Sequence, residues 1–149
     1  MLNPDFKDML LCLQEEKVEF LVVGAYALAA HGNPRATGDL DLWIKPDAEN
    51  GQRVIRALRV FGAPTKNLSV DDFVKEDTIV QIGVVPCRID LITGIEAVRF
   101  DEAWQNRVAA SVDGLTLFVL SKADMLKNKL AMSRDKDQSD IAWLQKNQP

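Results

Sequence analysis

The chain has 149 residues, of which 47% are hydrophobic and 27% charged, and its formal net charge is −4 at pH 7. This length suits one domain, which would bury about 70% of the surface that its unfolded chain exposes. We therefore expect a single domain over residues 1–149. The negative charge argues against duplex nucleic acid as the partner, because proteins that bind it usually carry a basic face.

Targeting signals are missing from the sequence. The apolar runs fall short of the ~20 residues that a membrane span needs. The first five residues, Met1–Asp5, lack the basic start of a signal peptide. Cys12 and Cys87 stand far apart and form no CxxC pair. These features predict a protein of the reducing cytoplasm, with no membrane as its partner.

The spacing of apolar residues divides the first half of the chain into helices and strands. The predicted elements are a helix that starts at Asn3-Pro4 and ends near Glu16, a strand at Val18–Val23, a helix at Ala25–His31, a strand at Leu40–Ile44, and a helix that Asp47 caps and Gly62 ends. Each helix has a proline, a capping residue or a glycine at one of its ends, as helix termini usually do.

The second half continues with more strands and closes with helices. The predicted elements are strands at Ile79–Ile82 and Arg88–Ile92, a helical piece near Asp101–Arg107, strands at Val108–Val112 and Leu115–Val119, a helix from Ser121 to Met132, and a last helix at Lys136–Lys146. Asp113-Gly114 is a strong signal for a tight turn. This succession predicts an α+β fold with a central mixed β-sheet flanked by helices and a C-terminal helical hairpin.

The tetrapeptide Asp39-Leu40-Asp41-Leu42 is the most informative pattern. Side chains two apart in a strand share a face, so Asp39 and Asp41 project together while the two leucines enter the core. Adjacent like charges repel each other, and a divalent cation turns that repulsion into affinity. Mg²⁺ in particular favours one or two carboxylates together with the phosphates of a substrate.

A third carboxylate lies on a later predicted strand. Asp90 points away from its apolar neighbours in Arg88–Ile92, and it joins Asp39 and Asp41 if this strand lies beside Leu40–Ile44. Three such carboxylates suit two-metal phosphoryl transfer, with one of them able to take the proton of an acceptor hydroxyl. In the alternative interpretation, the aspartates form the solvent-exposed face of an edge strand, where charges oppose aggregation.

A glycine follows the first predicted strand. Phe20–Val23 leads into Gly24, and Ala25 then opens a helix, so the backbone can approach a ligand and free N–H groups can face a phosphate. Neither GxGxxG nor GxxxxGK[ST] occurs, which excludes those two nucleotide-binding motifs. The combination of Gly24-Ala25 with alternating aspartates, separated by thirteen residues, is more specific than either part alone.

This combination resembles the nucleotidyltransferase superfamily related to DNA polymerase β. Its signature begins with an apolar residue, followed by Gly and then by Gly or Ser. Two acidic residues that alternate with apolar ones come next, and a third acidic residue lies on a later strand. The matching pieces here are Val23-Gly24-Ala25, Asp39-Leu40-Asp41-Leu42 and Asp90. The chain is similar to small bacterial members, namely minimal nucleotidyltransferases and those of toxin–antitoxin modules, over residues 18–144. The resemblance implies the nucleotidyltransferase fold.

The resemblance also implies roles for the matching residues. Asp39 and Asp41 would bind two Mg²⁺ ions that hold the phosphates of a nucleoside triphosphate. Asp90 would be a third metal ligand or the base for the incoming hydroxyl. Gly24 and Ala25 would cradle the triphosphate, although Ala25 stands where the family usually has Gly or Ser and offers no hydroxyl.

Three further residues complete the candidate nucleotide-binding set. Arg35 would pair with a phosphate or, alternatively, neutralise Asp39 or Asp41. Thr37 would hydrogen-bond a phosphate or fix the loop. Lys129, on a later helix, would reach over the carboxylate face to a phosphate or remain a solvated surface lysine.

Other polar and aromatic residues have two interpretations each. Trp43 shares the side of the carboxylates by alternation, and it either stacks on a nucleobase or packs in the core or at its rim. His31 is either a base or a capping and packing residue. Arg134, Asp137 and Asp140 are predicted to connect the last two helices through salt bridges.

The expected activity is Mg²⁺-dependent transfer of a nucleoside monophosphate, from ATP in the first instance, to a hydroxyl of a protein, an RNA such as tRNA, or a small molecule. The alternative is a catalytically weak or inactive antitoxin or scaffold with this fold that binds a partner protein, which Ala25 favours. Small single-domain relatives often pair, so a homodimer is an open expectation for either function.

Overall fold

Six strands form a single mixed sheet in the residues that the computed structural model describes, 2–35, 38–84 and 87–149. They are β1 (Phe20–Val23), β2 (Asp39–Ile44), β3 (Ile79–Ile82), β4 (Arg88–Ile92), β5 (Val108–Val112) and β6 (Leu115–Val119). Their spatial order is β3-β4-β2-β1-β6-β5. The β2–β4 and β1–β6 pairs are parallel, and the other three neighbouring pairs are antiparallel. The predicted mixed sheet is therefore confirmed.

Six α-helices accompany this sheet in the same described ranges. They are α1 (Pro4–Glu15), α2 (Gly24–Ala30), α3 (Ala48–Phe61), α4 (Phe100–Gln105), α5 (Lys122–Met132) and α6 (Gln138–Lys146). A 3-10 turn at Asp135–Asp137 joins α5 to α6, so the last helix begins two residues later than predicted. Within the part of the chain that the structure describes, no helix is long and apolar enough to cross a membrane.

The first strand is shorter than the apolar run that predicts it. Lys17 has a φ of 59°, and the N–H of Val18 donates to the carbonyl of Leu13 at 3.0 Å. Val18 thus closes the end of α1 instead of joining the sheet, and β1 begins at Phe20. Hydrophobicity alone could not show this, because Val18 is buried in either arrangement.

Both predicted hairpins are present. β3 pairs antiparallel with β4, and β5 pairs antiparallel with β6. Asp113 and Gly114 connect the second pair with φ angles of 49° and 81°. Two consecutive positive φ values are what a type I′ turn requires, and this turn matches the twist of its flanking strands.

Alternation along β2 separates the core from the site, as predicted. Leu40 and Leu42 are 1% and 0% exposed, whereas Asp39 and Asp41 lie on the opposite face. Trp43 shares the face of the aspartates but is 1% exposed, because its ring packs edge-on against Phe100 with 5.2 Å between centroids. The packing interpretation of Trp43 is therefore the correct one.

Candidate active site

The strand order brings the three predicted carboxylates to one face of the sheet. β2 and β4 are adjacent and parallel, and their register places Asp41 directly beside Asp90. Asp39 lies beside Arg88 in the same ladder. The Asp90 side chain is 12% exposed and that of Asp39 is 34% exposed, so the cluster runs from the protein interior toward solvent.

Arg88 is the immediate counter-ion of this cluster. Its Nε donates to Oδ1 of Asp90 at 2.8 Å, and its Nη2 donates to Oδ2 of Asp90 and Oδ2 of Asp39, both at 3.1 Å. A guanidinium can serve both carboxylates because its donors are fixed in a planar fork. Sequence analysis missed Arg88, although alternation along β4 places it on the same face as Asp90.

Asp41 holds its proton more tightly than an ordinary aspartate. Burial is the largest cause that raises its pKa to about 6, and the charges of Asp90 and Asp39 and a hydrogen bond with Asp90 act in the same direction, while Arg88 opposes the shift. In the metal-free protein, Asp41 is therefore protonated over the mildly acidic range in which an exposed aspartate is fully charged.

The donor set of the cluster fits a hard divalent cation that is completed by a substrate. No group of three or more Asp, Glu, His or Cys side chains in the described part of the chain is arranged to hold a metal ion by itself. Asp41 and Asp90 nevertheless offer adjacent carboxylates, and the Arg88 guanidinium shows that positive charge is stabilised beside them. Two carboxylates together with substrate phosphates are the usual Mg²⁺ environment.

The backbone at Gly24 lies directly against the carboxylate of Asp41. Val23 pairs with Asp41 across the β1–β2 ladder, and Gly24 follows with a φ of +70°. A Cβ atom at this position would lie 2.5 Å from Oδ2 of Asp41. Glycine is required both for the left-handed backbone and for the space that Asp41 occupies.

Replacing Gly24 by alanine is therefore expected to lower the free energy of unfolding by about 1–3 kcal/mol through backbone strain, with a further loss from the contact with Asp41. Gly114→Ala is the matched control, because Gly114 has a φ of +81° but no heavy atom within 4 Å of the added Cβ. Urea unfolding of both variants separates the two contributions. Equal destabilisation would contradict the role of the Asp41 contact.

A cavity of about 540 Å³ opens in front of Asp41. We call it the large cavity. Gly24, Asp41, Lys129 and Arg134 are among the residues that line it. Apolar side chains complete the wall, among them Ile79, Ile92, Ile95, Met125 and Met132. Its volume falls within the ~300–1,000 Å³ typical of small-molecule sites.

Lys129 lines this cavity from a buried ion-pair network. Its Nζ donates to Oδ1 of Asp137 at 3.1 Å and lies 3.3 Å from Oδ2 of Asp140. Arg134 donates from Nε and Nη2 to Asp137, at 2.6 and 3.0 Å. These hydrogen bonds, those from Arg134 foremost, hold the pKa of Asp137 at about 2 against the opposing effect of burial. The predicted connection between the last two helices is present, and Lys129 belongs to it.

Arg35 pairs with a residue outside the carboxylate cluster. Arg35 donates from Nη1 to Oδ1 of Asp140 at 2.7 Å, and Arg88 instead is the counter-ion of Asp39 and Asp90. Ala25 lies in the first turn of α2. Thr37 lies outside the described residues.

Of the two interpretations of His31, the structure supports the capping and packing one. It is the C-cap residue of α2, and its Nε2 lies 2.7 Å from the carbonyl oxygen of Leu120 at the end of β6. This contact ties the helix that starts at Gly24 to the strand beside β1.

Solved structures share this fold across nearly the whole chain. A candidate nucleotidyltransferase from Thermotoga maritima matches with a TM-score of 0.61 and 16% identity, covering 99% of this chain and 97% of that one. The lincomycin-bound lincosamide antibiotic adenylyltransferase LnuA matches with a TM-score of 0.61 and 14% identity, covering 97% of each chain. ANT(2'')-Ia in complex with adenylyl-2''-tobramycin matches with a TM-score of 0.58 and 12% identity, covering 93% of this chain and 84% of that one.

At these identities the likeness establishes the fold alone, and it confirms the fold that the sequence motifs implied. No curated protein matches the sequence. The family described as nucleotidyltransferase of unknown function (DUF6036) matches residues 5–145. Because that match spans nearly all of the chain, the protein belongs to this family of nucleotidyltransferases.

Proposed function

We propose that the protein transfers a nucleoside monophosphate from ATP to an acceptor hydroxyl with the help of Mg²⁺ and releases pyrophosphate. The observation that carries this proposal is the side-by-side placement of Asp41 and Asp90 on parallel strands, where Asp41 lines a cavity that Lys129 also lines. Two neighbours support an adenylyl donor: LnuA is an adenylyltransferase by name, and ANT(2'')-Ia is in complex with adenylyl-2''-tobramycin.

In the proposed reaction, Asp39, Asp41 and Asp90 would hold the metal, and Gly24 leaves the space that the Asp41 carboxylate occupies. Bound there, Mg²⁺ neutralises phosphate charge and polarises the α-phosphorus. Lys129, which also lines the large cavity, would stabilise the charge that develops on the leaving pyrophosphate.

The acceptor hydroxyl gives its proton to Asp90 as its oxygen bonds to the α-phosphorus. The bond from that phosphorus to the pyrophosphate oxygen breaks in the same displacement. Asp90 suits this role because its carboxylate lies beside Asp41 and is held in place by its ion pair with Arg88.

Arg88 has a role of its own in this scheme. It neutralises Asp39 and Asp90 while the metal is absent, at distances of 3.1 and 2.8 Å. Without it, three neighbouring carboxylates would repel one another across β2 and β4. The guanidinium thereby keeps the cluster assembled until a metal and a nucleotide bind.

Calorimetric titration of ATP, GTP, CTP and UTP, each with and without Mg²⁺, tests the proposal. We expect micromolar binding of ATP that requires Mg²⁺ in the wild-type protein. The double variant Asp39→Asn/Asp41→Asn is expected to lose it, because the metal ligands are gone while the fold remains. Circular dichroism of the double variant serves as the control for folding.

Absence of nucleotide binding in every combination would contradict the proposal. The antitoxin or scaffold interpretation would then be favoured, with Ala25, which offers no hydroxyl to a phosphate, as the first residue to replace by serine. Binding that persists in the double variant would show that the nucleotide is held elsewhere on the protein.

A further inference from the structure

Strand β5 forms one edge of the sheet. It pairs with β6 over an unbroken ladder, and no other strand of the described residues lies beside it. Charges, prolines and bulges are the features that usually keep an exposed edge from binding another strand. None of the residues of β5 is charged or a proline, and its ladder with β6 contains no bulge. The side of β5 that faces away from β6, which we call the outer edge, therefore lacks the common protection.

The pairing with β6 determines which backbone groups point outward from β5. The N–H of Leu120 donates to the carbonyl of Val22 in β1 at 3.0 Å, so even-numbered positions along β6 and its continuation face β1. Backbone groups alternate along a strand, so the odd-numbered residues of β6 bond to their partners, the even-numbered residues of β5. Ala109 and Ser111 consequently direct their N–H and C=O groups away from the sheet, and both residues are exposed.

The sequence around β5 is complementary to itself when two copies run antiparallel. Residues Arg107–Asp113 read Arg-Val-Ala-Ala-Ser-Val-Asp, with Ala110 at the centre. A two-fold axis at Ala110 places Ala109 opposite Ser111 of the second copy, and Ser111 opposite Ala109 of the second copy. These are the residues with outward N–H and C=O groups, so each pair can exchange both of its hydrogen bonds, as an antiparallel ladder requires.

Charges at the two ends of β5 are complementary in the same arrangement. Arg107 directly precedes β5 and Asp113 directly follows it, so the axis places each opposite the other across the two copies. The Arg107 guanidinium lies over the rings of Trp104 and Phe118, 4.2 and 4.6 Å from their centroids, and forms no ion pair among the described residues. Asp113 accepts from the N–H of Leu2 and likewise has no ion-pair partner within the described ranges. A strand with opposite charges at its ends attracts an antiparallel copy of itself.

Apolar surface at β5 favours the same register. Val108 is 40% exposed, although its partner in β6, Val119, is 1% exposed. The axis at Ala110 places Val108 opposite Val112 of the second copy, on the face of the sheet that packs on the core. Pairing would therefore continue the apolar face from one copy into the other and remove Val108 from water.

The other edge of the sheet, β3, offers no such arrangement. Thr78 and Gly83 flank β3, and neither carries a charge. Two antiparallel copies of β3 would therefore lack the pair of ion pairs that β5 provides at its ends.

We propose that two copies of this chain form a dimer through the outer edges of β5, which pair antiparallel about a two-fold axis at Ala110 and join the two sheets into one. The partner is thus a second copy of the chain, held by backbone hydrogen bonds and by ion pairs between Arg107 and Asp113 of different copies. The proposal is separate from nucleotidyl transfer, because β1 and β6 lie between this edge and the strands β2 and β4 of the carboxylate cluster.

Analytical ultracentrifugation over a series of protein concentrations tests the proposal. We expect a reversible dimer with twice the 16.6 kDa mass of the chain. A monomer at every concentration up to ~1 mM would overturn the proposal, since association weaker than that is marginal.

Hydrogen exchange tests whether β5 is the strand that pairs. The amides of Ala109 and Ser111 are expected to exchange quickly in dilute protein and more slowly as the dimer forms. The amides of Val108 and Ala110 bond to β6 and serve as the internal reference, protected at every concentration. Exchange at Ala109 and Ser111 that does not change while the protein dimerises would overturn the assignment to β5.

Ala109→Pro removes one outward N–H from each copy. Proline is tolerated in an edge strand where the missing N–H takes no part in the ladder, so the hairpin with β6 is expected to remain. We expect this variant to be monomeric, whereas Ala109→Ser, the matched control with its N–H intact, still dimerises. Equal dimerisation of the two variants would overturn the proposal, and circular dichroism checks that both fold.

Asp113→Asn removes a charge from the interface and tests it independently, even if Ala109→Pro does not fold. Asparagine suits the φ of 49° at this turn position, so the hairpin is retained. The dimer is expected to weaken by ~5-fold, because two-fold symmetry repeats the lost ion pair. Added salt should then weaken the wild-type dimer more than the variant dimer. Asp71→Asn, an exposed aspartate outside β5, is the control, and equal effects of the two substitutions would overturn the role of the ion pair.

Discussion

Replacing Asp41 by asparagine is expected to lower the rate of Mg²⁺-dependent pyrophosphate release by ~1,000-fold or more, which corresponds to about 4 kcal/mol of transition-state stabilisation. Asp41 is the member of the aspartate cluster that lines the large cavity, and it lies beside both Asp90 and Gly24. An amide retains its shape but neither its charge nor its strength as a metal ligand. Asp8→Asn, an exposed aspartate on α1, is the control.

The same substitution is expected to stabilise the metal-free protein above pH 6. The pKa of Asp41 is about 6 in the folded protein, against an ordinary value of 3.8, so the folded state binds the proton more tightly than the unfolded state does. The free energy of unfolding therefore falls as pH rises from about 4 to about 6. An asparagine amide at this position does not titrate in that range, so the variant should lack this decline.

Urea unfolding of both proteins in EDTA at pH 4.5 and pH 8 measures the effect. Identical pH dependence of the two proteins would contradict the raised pKa of Asp41. Retained Mg²⁺-dependent turnover in the variant would contradict its role as a metal ligand.

Replacing Asp137 by asparagine is expected to lower the free energy of unfolding by about 3 kcal/mol or more at pH 7. The Asp137 side chain is 2% exposed and accepts from both Lys129 and Arg134. Without its charge, Lys129 remains buried with Asp140 as its one remaining counter-ion among the described residues. Removing one partner of a buried ion pair is costly because the other charge stays desolvated.

The contribution of Asp137 to the free energy of unfolding depends on pH with the opposite sign to that of Asp41. The pKa of Asp137 is about 2 when folded and 3.8 ordinarily, so its stabilisation is complete above about pH 4 and is lost as pH falls through 2. Asp135→Asn, an exposed aspartate of the same 3-10 turn, is expected to change stability by less than about 0.5 kcal/mol. Comparable losses in the two variants, measured by thermal unfolding, would contradict the importance of the buried network.

Local patterns were sufficient to predict the strands and the carboxylate face. In Asp39-Leu40-Asp41-Leu42 the side chains alternate between the two faces of the sheet because of backbone geometry alone, and the structure shows this alternation as predicted. The position of Asp90 beside Asp41 needed one further condition, that its strand be adjacent, which no local pattern could supply. The roles of these carboxylates in metal binding and catalysis remain predictions.

Apart from the Arg88–Asp90 ion pair, the contacts that sequence analysis missed depend on distant pairings. Arg35 pairs with Asp140, 105 positions away, where the sequence suggested the nearby Asp39 or Asp41. A second cavity, of about 310 Å³, brings together Trp43, Asp77 and Asp101 from three separate parts of the chain. Spacing rules describe neighbours within one helix or strand, so they carry no information about such encounters.

Two ion pairs share Asp140, and this affects when they can form during synthesis of the chain. Arg35 and Lys129 both rely on this one carboxylate of α6, which a ribosome reaches after every strand of the described sheet has been synthesised. A nascent chain can pair β2 with β4 and gather Asp39, Asp41 and Asp90 while Arg35 still lacks its counter-ion. Closing such long loops is slow compared with local folding. The ion pairs of Arg35 and Lys129 with Asp140 can therefore form only after α6 has been synthesised, when all three carboxylates of the cluster are already part of the chain.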